Sequence, residues 1–184
     1  ITIPTIGIHN VYNALAAFVV GYFLHIDPQL SADALADYVP AGMRQKVVDV
    51  DGITSIEDCY NASPDSMRAA LKTLSDIKGN KKIAVLGDML ELGDYAKTAH
   101  TEVGNAVAEN KIEYLLAYGN DAKFYVDGAK QGGVENAFLF DDKEKLSEML
   151  LNIASKGDAV LFKGSRGMKL EDVINTVYKG WRKQ

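Results

Sequence analysis

Cysteine occurs once in 184 residues, at Cys59. One cysteine cannot form an internal disulfide, which fits a reducing, cytoplasmic setting. Long apolar runs are missing as well. The longest, Ala14 to Leu24, is interrupted by Gly21 and Tyr22 and falls short of the ~20 residues that span a bilayer, so no membrane insertion is expected. Positive charge is not in excess: 20 Lys and Arg stand against 25 Asp and Glu, a formal net charge of -5. An electrostatic case for nucleic acid or an anionic membrane is therefore poor. No basic stretch precedes an apolar one at the start, so no signal peptide is visible.

Several chemical signatures are missing too. There is no G-x-x-x-x-G-K-[ST] loop to cradle a triphosphate and no G-x-G-x-x-G, which counts against a dinucleotide oxidoreductase. No metal-ligand cluster and no serine or cysteine triad is recognisable. What remains is an ordinary globular composition, 47% hydrophobic and 24% charged.

The pattern changes along the chain. From Asn10 to Leu24, Val11, Leu15, Phe18, Val19, Tyr22 and Phe23 recur at helical spacing. Asn10 is expected to cap this helix and Asp27-Pro28 to end it. A second helix is expected from Ser31 to Val39, and Pro40-Ala41-Gly42 reads as a linker. Beyond it, Lys46 to Val50 and Ile53 to Cys59 are β-rich around Asp51-Gly52, a hairpin signal. Further strands are expected at Lys82 to Leu86, Tyr114 to Tyr118, Ala137 to Phe140 and Ala159 to Phe162. Helical stretches lie at Pro64 to Ile77, Thr98 to Glu109, Asp121 to Lys130, Lys143 to Ser155 and Met168 to Trp181. Continuous apolar strands alternating with amphipathic helices predict an α/β fold: a Rossmann-like, mostly parallel sheet with flanking helices. It is preceded by a short helical piece. Two domains follow from this, residues 1–42 and 43–184. The chain begins at Ile1 in a segment that reads as already inside a fold, so it is expected to be part of a longer protein.

Ligands of parallel sheets gather at the carboxyl ends of the strands, and four stretches draw interest. His9-Asn10-Val11-Tyr12-Asn13 puts two carboxamides on one helix face, where they suit a purine edge or nearby phosphates; on the residues alone, N-capping by Asn10 is the simpler reading. Glu57-Asp58-Cys59-Tyr60-Asn61-Ala62-Ser63-Pro64 carries carboxylates to a strand end, where Asp58 could accept from a ribose hydroxyl or an ammonium group, and Ser63 caps the next helix. Gly87-Asp88-Met89-Leu90-Glu91 follows a buried strand, and Asp88 and Glu91 either hold a substrate amine or are solvated. His100, in the next helix, reads more simply as surface or satisfied core. Lys163-Gly164-Ser165-Arg166 suits a carboxylate or phosphate, or is merely a basic loop.

Together, HNVYNALAA, EDCYNASPDSM, AVLGDMLELG with a histidine beyond it, and LFKGSRGM resemble the Mur ligases, in order and at the family's spacing over nearly the whole chain. The acceptor loops are similar to the branch that adds D-alanyl-D-alanine. The resemblance implies a C-terminal part of an ATP-dependent ligase that joins D-alanyl-D-alanine to UDP-MurNAc-tripeptide through an acyl phosphate in peptidoglycan precursor synthesis. Residues 1–42 would close the central ATP-binding domain. It also implies roles: Asn10 and Asn13 near the adenine or its phosphates, Arg44 reaching a phosphate, and Asp58 contacting the ribose or helping to assemble the closed site, the last two with catalytic roles. Asn61, Asp88, Glu91, Lys163, Ser165 and Arg166 would surround the incoming dipeptide. The family's P-loop and the ligands of its Mg2+ are expected upstream, in the missing N-terminal and central domains, so this piece alone is expected inactive. The linker would let the C-terminal domain swing over ATP. Alternatives are a sibling ligase adding another amino acid, or a non-catalytic Rossmann-like binding module.

Overall fold

The computed structural model describes residues 1–39 and 42–182. Pro40 and Ala41 of the expected linker lie outside the described residues. Gly42 follows with φ +65°, a left-handed conformation that glycine enters at little cost.

Two helices come first: α1 (Ile8–Phe23) and α2 (Pro28–Ala36). Their limits correct the sequence reading. Asn10 is not the cap of α1; Gly7 holds that position with no side-chain hydrogen bond, and Asn10 sits inside the first turn. Asp27-Pro28 opens the second helix rather than closing the first. The Asp27 carboxylate accepts from the backbone N–H groups of Gln29 and Leu30, and Pro28 takes the first helical position, where its missing N–H costs nothing. The apolar stripe of α1 is largely uncovered, with Tyr12, Leu15, Val19 and Phe23 all exposed.

The remainder alternates: β1 (Lys46–Val50), β2 (Ile53–Asp58), α3 (Pro64–Asp76), β3 (Lys82–Gly87), α4 (Ala96–Glu109), β4 (Tyr114–Tyr118), α5 (Ala122–Gln131), β5 (Asn136–Phe140), α6 (Lys143–Ile153), β6 (Ala159–Lys163) and α7 (Glu171–Trp181). The six strands form one sheet in the order β1-β2-β6-β3-β4-β5. All neighbours are parallel except β1 and β2, the hairpin expected at Asp51-Gly52, whose two turn residues both have positive φ. This is the mostly parallel α/β sheet that the alternating pattern predicts.

The central strands β3, β4 and β6 are largely apolar on both faces because helices cover both. One layer joins Ile56, Leu86, Leu115 and Leu161 to Met67, Leu71 and Leu74 of α3 and to the inner sides of α4 and α5. The other joins Val85, Leu116, Val160 and Phe162 to α6 and α7. Met67, Leu71 and Leu74 are fully buried, each contributing roughly 1.5–3 kcal/mol by burial. Helix α3 starts cleanly: Ser63 accepts from the Ser66 N–H while the Ser66 hydroxyl accepts from the Ser63 N–H, and Pro64 stands at the first position.

The last strand, β6, inserts between β2 and β3, which are consecutive in the chain. This late insertion creates a reversal in strand order, the place where α/β sheets open a crevice at the carboxyl ends of their strands. The opposite end of β6 is sealed by Asp158, which is 1% exposed. Its carboxylate accepts from the backbone of Lys81 and Ser155 and pairs with the Lys81 ammonium at 3.2 Å.

Candidate active site

A cleft of about 560 Å³ lies between the start of α1 and the carboxyl ends of β2 and β6. It brings together Asn10, Asn13, Arg44, Asp58, Asn61 and Lys163, six of the ten residues singled out from the sequence. They come from four separate stretches of chain.

The strand alternation explains two of them. Ile56 and Asp58 share one face of β2, and Leu161 and Lys163 share the same face of β6. Asp58 and Lys163 are partners in the parallel ladder, so their side chains meet where the strands end. Lys163 Nζ donates to Asp58 Oδ2 at 2.7 Å and to the Asn61 carbonyl at 3.1 Å. Both residues are buried, Lys163 at 2% exposure.

Across the cleft, Arg44 stacks on Tyr60, with the guanidinium carbon 4.0 Å from the ring centroid. This is a cation–π contact that orders the Arg44 side chain. The next residue, Gln45, has φ +50° and reaches α1. Its Oε1 accepts from Asn10 Nδ2 at 2.5 Å, and its Nε2 lies 2.5 Å from His9 Nε2, donating to it. Asn10 also donates to the Ile6 carbonyl at 2.7 Å and accepts from Asn13 Nδ2 at 3.3 Å. Both amide hydrogens of Asn10 are thus engaged by the protein. Asn13 keeps its own oxygen free of side-chain partners among the described residues. Gln45 and Tyr60 were not singled out from the sequence; adjacency to Arg44 and a place between Asp58 and Asn61 at a strand end were the signals available.

The other four residues lie outside this cleft. Asp88 follows β3 directly and is 4% exposed. Its Oδ2 accepts from the Asp121 N–H at 3.2 Å, so it caps the start of α5 from a neighbouring strand. Its Oδ1 is buried without a hydrogen-bond partner, and burial raises its pKa above the ordinary carboxylate value of 3.8. His100 is fully buried, as a satisfied core residue: Nδ1 donates to the Ala96 carbonyl at 2.7 Å and Nε2 accepts from the Met89 N–H at 3.1 Å. That pattern assigns the neutral ring, so its 3.7 Å approach to Asp88 is not an ion pair. Ser165 ties two loops together, its N–H donating to the Asp88 carbonyl and its Oγ accepting from the Leu90 N–H. Glu91 is exposed with φ +67°, and Arg166 pairs with Glu171 at 3.1 Å at the surface.

Among the described residues, no group of three or more His, Cys, Asp or Glu side chains comes together. No helix of the described residues is long and apolar enough to cross a membrane.

The sequence and fold of the chain match known proteins. Residues 43–166 match the family model of the Mur ligase, glutamate ligase domain. The UDP-N-acetylmuramoyl-tripeptide--D-alanyl-D-alanine ligase of Bacillus subtilis (strain 168) is 42% identical over 175 residues, covering 94% of this chain and 38% of that protein. The crystal structure of MurF from Acinetobacter baumannii superposes with a TM-score of 0.88 at 29% identity, covering 96% of this chain and 39% of that one. MurF ligase from Thermotoga maritima, solved in complex with ADP, gives 0.82 at 27% identity, covering 97% and 40%. The chain thus spans about two fifths of the length of these relatives. By its sheet, its motifs and these likenesses, the chain belongs to the Mur ligase family.

Proposed function

We propose that this chain is the C-terminal part of an ATP-dependent ligase that joins D-alanyl-D-alanine to UDP-MurNAc-tripeptide in the cytoplasm. The observation that carries the reading is the single cleft in which two carboxamides of α1 face Arg44, Asp58 and Lys163 of the α/β part. The activity of the 42%-identical relative from Bacillus subtilis supports the choice of acceptor. Asn13 and Asp58 would serve the nucleoside, the former on the base and the latter on a ribose hydroxyl. Arg44 would face a phosphate. Residues 1–42 would belong to the central domain and 43–184 to the C-terminal one, and the exposed apolar stripe of α1 would pack against the rest of the whole protein.

In the reaction, the γ-phosphoryl group of ATP passes to the terminal carboxylate of the tripeptide, giving an acyl phosphate and ADP. The neutral amine of D-alanyl-D-alanine attacks the acyl carbon, a proton leaves the nitrogen, and the tetrahedral intermediate expels phosphate. Phosphoryl transfer depends on charge neutralisation and alignment, and Arg44 would provide both from its seat on Tyr60. Asp88, Glu91, Ser165 and Arg166, at the ends of β3 and β6, would serve the acceptor side; Asp88 and Ser165 would do so by shaping the loop that carries Glu91.

The test is phosphate release by the full-length protein with ATP, magnesium and UDP-MurNAc-tripeptide. D-alanyl-D-alanine is compared with L-glutamate and diaminopimelate, the latter two given their own precursors. Turnover with D-alanyl-D-alanine alone is expected. Turnover with another acceptor would move the chain to a sibling ligase, and none at all would favour a binding module.

A further inference from the structure

The ammonium of Lys163 has two protein partners, and they bracket one loop. One is the carboxylate of Asp58, the last residue of β2; the other is the backbone carbonyl of Asn61. Between them stands Tyr60, the ring on which Arg44 lies. Both ends of the 58–61 turn are therefore pinned to the end of β6 by one buried side chain. Asp58 Oδ2 is occupied by this contact and Oδ1 is left for the cleft, since Asp58 lines it.

Stability does not account for this pair. Taking a lysine and a carboxylate out of water is expensive, and apolar residues of similar shape would fill the space as well or better. A buried pair does fix geometry, because a charge held in a protein interior has few alternative partners.

We propose that Lys163 is a positioning residue of the nucleotide side of the cleft: it aims Asp58 and, through the 58–61 turn, seats Tyr60 beneath Arg44. It acts through these groups rather than by touching the acceptor dipeptide. The inference rests on the proposed ligase reading of this cleft and goes beyond it by separating Lys163 from the residues of the acceptor side.

The experiment is a double-mutant cycle in the full-length protein with Lys163→Met, Asp58→Asn and the two combined. Steady-state KM for ATP and for D-alanyl-D-alanine are measured separately, with thermal unfolding of each variant. Lys163→Met is expected to lower kcat/KM for ATP by about tenfold or more, as for loss of a charge-assisted contact, with KM for the dipeptide within twofold. The combined variant should match Asp58→Asn alone within about twofold, because Lys163 works through Asp58. A merely structural role would not divide the two KM values in this way. A raised dipeptide KM with an unchanged ATP KM, or fully additive losses, would overturn the proposal. If either single variant strands the remaining buried charge and fails to fold, the combined variant, which buries neither, is compared with the parent protein: kcat/KM for ATP lowered about tenfold with the dipeptide KM within twofold supports the proposal, and the reverse split overturns it. If the parent protein does not turn over D-alanyl-D-alanine, the ligase reading fails by itself, and the cycle is read from ADP affinity. Non-additive loss of ADP binding then supports the role of Lys163, and unchanged binding overturns it.

Discussion

Arg44 lies face-on over Tyr60, guanidinium to ring, at 4.0 Å. The contact spans the first residues after Gly42 and the turn after β2, so it couples the entry of the α/β part to the end of its second strand. Removing the guanidinium, by Arg44→Ala in the full-length protein, is expected to lower kcat on the order of 10²-fold, the scale for a group that stabilises developing charge. Tyr60→Leu should cost about 2–5-fold in kcat/KM, the worth of an exposed cation–π contact, while Tyr60→Phe keeps the ring and should change little. Steady-state phosphate release checks all three. Equal losses in Tyr60→Phe and Tyr60→Leu would show that the hydroxyl, not the ring, matters.

Asp88 makes a prediction with a sign. Its folded-state pKa is raised by burial above the ordinary 3.8, so the folded chain holds a proton that the unfolded chain gives up. The resulting stability is complete below pH 3.8 and is lost as pH rises through the raised value. Asp88→Asn keeps an oxygen for the Asp121 N–H and carries no charge. It is expected to melt no lower than the parent chain at pH 7, with the difference closing as pH falls towards 4. Thermal melts followed by circular dichroism across that range decide it, and a clearly lower melting temperature at pH 7 would mean that the charge itself holds α5.

Cys59 is 1% exposed, and its thiol donates to the Phe162 carbonyl at 3.2 Å. Burial and the neighbouring Asp58 carboxylate push its pKa from 9.0 up to about 12. The thiolate is the reactive form, so alkylation by iodoacetamide at pH 8.5 should be negligible in the folded protein and complete in denaturant. The same shift adds stability below pH 9 that is lost as pH rises from 9 towards 12. Mass spectrometry of the alkylated protein is the readout, and rapid labelling without denaturant would contradict the buried placement.

Helices α4 and α5 touch backbone to backbone. A Cβ added at Gly104 would stand 2.2 Å from the Tyr125 carbonyl oxygen, and one at Gly128 would stand 2.4 Å from that of Thr101. Neither obstacle is a flexible side chain that can turn away. Gly104→Ala, although a better helix former, should therefore destabilise by about 1–3 kcal/mol through overpacking. Urea unfolding measures it, and an unchanged midpoint would refute the close approach.

The sequence made the α/β core easy to see, because a parallel sheet needs apolar strands and amphipathic helices at distinct periods. Tyr114–Tyr118 and the Asp51-Gly52 hairpin follow from local pattern alone. Local pattern misled at Asp27-Pro28, where the same two residues can stop one helix or cap the next. The meeting of Asp58 with Lys163 was not legible locally, since they are 105 positions apart and become neighbours only because β6 inserts beside β2. Asp88 looked like a ligand-facing carboxylate because it follows a strand directly; its burial depends on Gly119, which has no side chain to exclude it and whose added Cβ would stand 2.3 Å from the carboxylate.

Gln45 carries a consequence for how this region tolerates change in length. Arg44 reaches Tyr60 and Gln45 reaches His9 and Asn10 from consecutive residues, and the left-handed backbone at Gln45 sets the angle between the two directions. Inserting or deleting one residue between Gly42 and Lys46 would turn each side chain towards the other's destination. Here spacing itself is part of how the two sides of the cleft are held together. A one-residue insertion between Gly42 and Lys46 is therefore expected to cost more than a substitution there.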